Sequence, residues 1–339
     1  MRLINLLIAT AAVTAIAPAA LAAPSYSVTK VVPLGAPDRW DYVVFDPGSG
    51  RVYVAHGDQV AVVDAHSGKV IGRISGIVGG THGIAISKGT GRGFTDDGEN
   101  GKTVAFDLKT LKIIKQIPAG EDADATYTDK LTGHVFVVEG DPGTITVVNP
   151  RSVAAITTIK VGEKLEYATG DDNGSVFVAG NGTGDVVRID AKSNAVTAHW
   201  ATPECKGPHG LAIDKIGRRL FMGCVNNVMM VVDANSGKII TKLPIGRGSD
   251  AIAWDPVRKR VFSSNGSDGT ITVFQQSSPD TYKQLDTIRT QVSGRTMDVD
   301  PSSGRLFVAA ATTDTSTGPG GRPRVKPATL ALLMIDPKP

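Results

Sequence analysis

The chain has few cysteines, few aromatic residues and little net charge. Its two cysteines, Cys205 and Cys224, are too far apart for a C-x-x-C redox pair or a C-x-x-C-H haem attachment. The formal net charge is +3 and becomes +2 if Arg2 is removed with a leader, which is too weak to indicate a polyanion partner by bulk charge alone. Aromatic residues make up only 5% of the chain, so few are available to stack on nucleobases.

Long apolar runs are confined to the N-terminus. Arg2 is followed by an apolar stretch from Leu3 to Ile16 and then by Ala20-Leu21-Ala22, the pattern of a cleaved signal peptide. We therefore expect residues 1–22 to be a signal peptide and residues 23–339 to form one exported domain without a membrane span. In an oxidising compartment the two cysteines are expected to form a disulfide, with a metal thiolate pair as the alternative.

The mature sequence lacks sustained helical periodicity and instead repeats a unit of strand, tight turn and strand. Seven copies align on the polar residue that opens the first strand, and successive positions differ by 41, 42, 42, 43, 41 and 45 residues. This period is typical of a propeller blade. The sequence thus predicts an all-β, seven-bladed β-propeller with four-stranded blades. The seven residues are Asp41, His82, Asp124, Glu166, His209, Asp250 and Arg295.

The two ends of the chain are expected to meet in blade seven. The last repeat has no residues for a fourth strand, whereas YSVTKVVPLG, from Tyr26, has a fourth-strand pattern and precedes the first blade. We expect this N-terminal strand to close the ring as the outer strand of the last blade. Blade seven also contains one long insertion, residues 311–327, which is expected to be an irregular surface loop over the channel mouth.

The repeats resemble those of the YncE-like, YVTN-repeat seven-bladed β-propellers of bacterial periplasms. The resemblance covers the mature chain and rests on segments such as VYVAHGDQVAVVDAHSGKVIGRI and RRLFMGCVNNVMMVVDANSGKIITKLPIG. It implies a periplasmic propeller, which we expect to be a monomer. It implies no particular reaction, because the repeat is a scaffold and fold analogy alone does not assign function.

The seven aligned residues are the best candidates for a binding site, since side chains that open the inner strands point toward the channel axis. Their formal charges sum to −3 with both histidines neutral. Carboxylate and imidazole ligands suit a divalent metal, so His82, Glu166, His209 and Asp250 are candidate ligands. The alternatives are a solvated mouth that binds another small molecule and a channel without any ligand.

Some other polar residues are weaker candidates. The acidic loop Asp96-Asp97-Gly98-Glu99-Asn100-Gly101 is a calcium candidate on the same face. His56 ends a strand on that face and is interpreted as a surface-loop histidine, with a place in the mouth site as the alternative. The remaining histidines, on outer strands or the opposite face, are interpreted as structural; they are His66, His134 and His199.

Three functional hypotheses follow, and the sequence leaves open whether the protein is an enzyme. The first is a non-catalytic scaffold that binds an unknown small molecule or a periplasmic protein through the channel-mouth face, since no G-x-S-x-G nucleophile motif is present. The second is a metal-assisted hydrolase, lactonase or lyase in the channel. The third, least favoured, is single-stranded nucleic-acid binding by cations of the mouth loops, namely Arg39, Lys164, Lys206 and Arg247.

Overall fold

The computed structural model describes residues 25–317 and 323–338. The expected signal peptide, residues 1–22, lies outside the described residues, as does the middle of the blade-seven insertion. The described chain forms seven four-stranded sheets, a two-stranded sheet and two 3₁₀ helices, η1 (Lys88–Thr90) and η2 (Gly98–Asn100). None of its helices is long and apolar enough to cross a bilayer.

Six blades are antiparallel sheets of four consecutive strands, and in each of them the first strand is innermost and the last is outermost. Blade one consists of β2 (Val43–Asp46), β3 (Arg51–His56), β4 (Gln59–Asp64) and β5 (Val70–Ser75). Blade two consists of β6 (Ile84–Ser87), β7 (Arg92–Asp97), β8 (Lys102–Asp107) and β9 (Ile113–Pro118). Blade three consists of β10 (Ala123–Thr128), β11 (Val135–Glu139), β12 (Thr144–Asn149) and β13 (Ala154–Lys160). Blade four consists of β14 (Leu165–Gly170), β15 (Ser175–Gly180), β16 (Asp185–Asp190) and β17 (Ala195–Ala201). Blade five consists of β18 (Pro208–Asp214), β19 (Arg219–Cys224), β20 (Val228–Asp233) and β21 (Ile239–Pro244). Blade six consists of β22 (Ser249–Asp255), β23 (Arg260–Asn265), β24 (Thr270–Ser278) and β25 (Thr281–Arg289).

Blade seven combines strands from both ends of the described chain. Its strands, again from the inside outward, are β26 (Thr296–Val299), β27 (Leu306–Ala310), β30 (Ala331–Pro337) and β1 (Tyr26–Pro33). β1 pairs antiparallel with β30, with one register shift between Val28 and Lys30. Each innermost strand contacts the innermost strand of the next blade, and β26 contacts β2, so the ring is continuous. The prediction of an all-β, seven-bladed propeller is confirmed.

The core lies between the blades and is built around one repeated position. The second strand of every blade carries an aromatic side chain with no exposed surface, opposite the middle of the innermost strand. Burial of so large a side chain between neighbouring sheets gives each blade an apolar contact that it cannot form alone. These residues are Tyr53, Phe94, Phe136, Phe177, Phe221, Phe262 and Phe307.

The blade-seven insertion is more regular than the sequence predicts. In place of an irregular loop, β28 (Thr313–Thr317) pairs antiparallel with β29 (Pro323–Val325). Threonine and valine favour extended backbone, and cross-strand pairing satisfies peptide groups that a loop would leave to water. Asp38 fixes the C-terminal end of the insertion, because its carboxylate accepts hydrogen bonds from the backbone N–H groups of Ala328 and Thr329.

Candidate functional site

The seven predicted mouth residues all lie at or just before the beginning of an innermost strand. In blades three to six, each of these residues falls within a register shift between the first two strands, where the inner strand has one extra residue. Such a bulge redirects a side chain. In blades one, two and seven the residue lies just before the strand begins. The sequence locates the residues, but it does not reveal the bulges that orient four of them.

Arg295 connects two carboxylates of the ring. Its guanidinium lies 3.2 Å from Asp250 and 3.5 Å from Asp41, the residues of the two adjacent blades. It also donates a 2.7 Å hydrogen bond to the carbonyl of Trp40 and lies 5.7 Å from the centroid of the Trp40 ring. The guanidinium is thereby held by charge, by a hydrogen bond and by the indole face at once.

The two histidines of the ring each pair with a carboxylate. His209 Nδ1 lies 2.9 Å from Glu166, the ring residue of the preceding blade. His82 Nδ1 lies 2.6 Å from Asp96, a buried residue of β7. Burial opposes protonation, but these hydrogen bonds outweigh it, so the pKa of His209 is raised and that of His82 rises to about 9.

Two carboxyl groups of the ring titrate abnormally. Burial raises the pKa of Asp41 to about 6, although the charge of Arg295 opposes the rise. Burial also raises the pKa of Asp124 well above its ordinary value, and the nearby carboxylates of Asp41 and Glu166 add to that shift. Like charges in a partly desolvated ring repel one another, so the ring retains protons that exposed carboxylates would release.

A pair of tyrosines narrows the channel directly beneath the ring. Tyr42 of blade one and Tyr167 of blade four, on opposite sides of the propeller, have ring centroids 5.0 Å apart at an interplanar angle of 67°. Burial raises the pKa of both hydroxyls, and for Tyr42 the ring carboxylates raise it further. We refer to these two residues as the tyrosine plug.

The propeller has two cavities without a common lining residue, and Tyr167 of the plug lines the larger one only. The cavity at the opposite face has a volume of about 1330 Å³, and three of its charged groups pair with one another, since Asp172 accepts hydrogen bonds from both Lys130 and Lys215. The cavity at the mouth, which we call the mouth pocket, has a volume of about 420 Å³. The sequence does not predict the larger cavity, because much of its lining comes from residues whose sequence pattern indicates only tight turns.

The mouth pocket contains part of the predicted ring together with residues that sequence analysis missed. Ring residues His209, Asp250 and Arg295 line it; the other four ring residues are not among its lining. Further walls come from Trp40 and Val225 and from the blade-seven hairpin β28–β29. The hairpin therefore lines the same cavity as three residues of the ring.

The predicted metal ligands do not form one compact set. His82 pairs with Asp96, whereas His209 pairs with Glu166. Within residues 25–317 and 323–338, the one group of three or more His, Cys, Asp or Glu side chains whose ligand atoms lie within 4.8 Å of one another contains none of the predicted ligands. That group lies in blade four.

Two other predicted features have clear outcomes. Cys205 and Cys224 form a disulfide, which joins the loop before β18 to the end of β19. His56 is not a surface-loop histidine: it is fully buried, its Nε2–H donates to the carbonyl of Pro37 at 2.6 Å, and its Nδ1 lies 3.3 Å from Arg73. Burial lowers the pKa of His56, consistent with a neutral structural residue.

Comparisons with known proteins identify the fold. No protein-family model matches the chain, and no curated protein matches its sequence. Among solved structures, the chain is similar to the RRP9 WD40 repeats, with a TM-score of 0.78, 12% identity and coverage of 93% of this chain and 99% of that one.

Two further solved structures show the same architecture. A chain of the mitotic checkpoint complex has a TM-score of 0.73, 15% identity and coverage of 96% and 98%. A chain of hydrazine synthase from Kuenenia stuttgartiensis has a TM-score of 0.69, 15% identity and coverage of 84% and 94%. At such low identity these similarities establish a WD40-like, seven-bladed propeller fold, but they do not assign a function to this chain.

Proposed function

We propose that this protein is a non-catalytic, YncE-like binding protein whose mouth pocket holds a small molecule with an apolar body and a carboxylate group. The observation that carries the proposal is the mouth pocket itself. Its volume of about 420 Å³ is in the range of small-molecule sites, it is covered by the hairpin β28–β29, and charged groups converge on its floor.

The lining of the pocket supports this ligand class. Trp40, Val225 and Val292 offer apolar surface. Arg295 is already paired with Asp250, whereas Arg324, on the exposed hairpin, forms no ion pair with the described carboxylates. A guanidinium that binds a carboxylate with two parallel hydrogen bonds gives both affinity and orientation. Arg324 is therefore the residue we assign to the ligand's charged end.

The contacts favour binding over the alternative activities. A hydrolase needs a cation held by several ligands at once, but among the described residues no three ring side chains bring their ligand atoms within 4.8 Å of one another. Nucleic-acid binding requires available cations, but Arg39, Lys164 and Arg247 pair with Glu99, Asp141 and Asp268, respectively.

The proposal includes export to the periplasm. It is supported by the signal-peptide pattern of residues 1–22 and by the disulfide, which is typical of proteins in an oxidising compartment. N-terminal sequencing of the protein recovered from periplasmic and cytoplasmic fractions tests this part. A chain beginning at residue 23 in the periplasmic fraction is expected, and an uncleaved chain confined to the cytoplasm contradicts it.

Calorimetric titration with arylalkanoic acids and their uncharged amides tests the ligand assignment. We expect an acid to bind and its amide to bind roughly tenfold or more weakly, since the charge-assisted contact is lost. Arg324→Ala should remove this preference. Lys326→Ala is the matched control, because Lys326 follows the same strand and is exposed but does not line the pocket. Equal binding by the acid in the parent and in Arg324→Ala overturns the proposal.

A further inference from the structure

Blade four contains a cluster of two carboxylates and one imidazole outside the mouth pocket. Glu163 lies in the loop before β14, Asp185 begins β16 and His199 is on the outer strand β17. Their ligand atoms all lie within 4.8 Å of one another. Three separate parts of the chain therefore bring oxygen and nitrogen donors to one point on the rim of the propeller.

The separations suit a metal as well as hydrogen bonding. His199 Nδ1 lies 3.0 Å from Asp185 Oδ2 and 3.3 Å from Glu163 Oε1. Tetrahedral zinc with bonds of about 2.1 Å places neighbouring ligand atoms about 3.4 Å apart. Thr183 orients the third ligand, since its backbone N–H and its hydroxyl both donate to Glu163 Oε2. Such outer contacts are typical of metal ligands.

Asp185 provides independent support for a ligand at this point. The residue is only 5% exposed, and its Oδ1 is buried without a hydrogen-bond partner. This oxygen faces the space beside Gly180, where a Cβ atom would lie 1.8 Å from Asp185 Oδ1 and 2.8 Å from Glu163 Oε2. The absence of a side chain at Gly180 thus lets both carboxylates lie close to the backbone and to each other, and one of them keeps a buried oxygen without a hydrogen-bond partner.

The excess negative charge of the cluster also favours a bound cation. Within the described parts of the chain, neither Glu163 nor Asp185 lies within salt-bridge distance of a lysine or arginine; His199 is the basic partner of both. Two adjacent carboxylates with so little neighbouring positive charge repel each other. His199 has a side chain that is 44% exposed, so a fourth position remains open to water.

We propose that Glu163, Asp185 and His199 bind one Zn²⁺ ion, with water completing its coordination. Three protein ligands and a water form a common zinc arrangement, and an imidazole ligand disfavours calcium. The ion connects the outer strand β17 to the loop that carries Glu163 and, three residues later, Glu166 of the mouth ring. The site is separate from the mouth pocket and stands whether or not that pocket binds a carboxylate.

Calorimetric titration of the chelator-treated full-length protein with zinc chloride tests the site. We expect one Zn²⁺ per chain, and roughly tenfold or more weaker binding in Glu163→Gln and in His199→Gln. His66→Gln is the matched control, because His66 is an exposed histidine in a turn of blade one, away from the cluster. Circular dichroism of each variant establishes that the fold is retained, and Glu163→Gln changes a loop residue without altering its size.

Three results would overturn the assignment. The first is the absence of saturable zinc binding in the parent. The second is unchanged zinc affinity in both Glu163→Gln and His199→Gln. The third is loss of zinc binding in a His82→Gln/His209→Gln double variant but not in His199→Gln, which places the ion at the mouth ring instead.

Discussion

Tyr42 and Tyr167 meet nearly edge to face across the channel, with ring centroids 5.0 Å apart. They belong to blades one and four, which are distant in sequence and opposite in the ring. The contact therefore ties two sides of the propeller together below the charged residues of the mouth. Tyr167 also lines the larger cavity, whereas neither tyrosine lines the mouth pocket.

Replacement of Tyr42 by alanine should destabilise the whole ring. The side chain is 9% exposed, and its loss leaves a cavity at the axis that no single blade can collapse to fill. We expect the free energy of unfolding to fall by about 3 kcal/mol or more. Tyr42→Phe keeps the ring contact and should cost less than about 1 kcal/mol. Urea denaturation of both variants measures the difference; equal losses would show that the aromatic contact contributes little.

The sequence predicts the architecture well because the repeat encodes it locally. Each copy contains its own strands and turns, so the seven-fold alignment alone identifies the blades and the residues that open them. The partners of these residues are less predictable. Asp96 pairs with His82 only because β7 lies beside β6, and nothing in its acidic run distinguishes it from its neighbour Asp97.

Long-range contacts account for the rest of what sequence analysis missed. His199 is interpreted as a structural residue of an outer strand, because its relation to Glu163 depends on how one blade follows the next. Sequence analysis does not predict the tyrosine plug for the same reason, since the two tyrosines come into contact only when the ring closes. The hairpin in the blade-seven insertion depends on pairing across residues whose composition is typical of loops.

Closure of the ring by the N-terminal strand can be tested at Tyr26. This side chain is 2% exposed, packs at 87° against Phe262 of blade six and accepts a hydrogen bond from Arg260. Tyr26→Ala should lower the free energy of unfolding by about 3–5 kcal/mol. Val31, in the same strand, is 56% exposed, and Val31→Ala should change stability by less than about 0.5 kcal/mol. Thermal melts in which the two variants coincide would refute closure by this strand.

The disulfide should contribute substantially to stability. Cys205 and Cys224 are 19 residues apart, and a loop of this length restricts the unfolded chain by about 3 kcal/mol. We expect a reducing agent to shift the urea midpoint of the parent protein downward by a corresponding amount. The Cys205→Ser/Cys224→Ser variant should already have the lower midpoint and should not respond to the reducing agent. A parent midpoint that is insensitive to full reduction would contradict this expectation.

His82 should make stability decrease in mildly alkaline solution. Its pKa is about 9 in the folded protein, against an ordinary value of 6.5, because Asp96 holds the protonated ring. The folded chain therefore keeps a proton that the unfolded chain releases between these values. The resulting stabilisation is fully present below pH ~6.5 and is lost as the pH rises through about 9, with a slope of at most about 1.4 kcal/mol per pH unit. Urea denaturation across this range should give a shallower slope in His82→Gln than in the parent, whereas His66→Gln should retain the parent slope. If His82→Gln keeps the full slope, the titrating group is elsewhere, and the raised pKa of His209 makes that residue the next to replace.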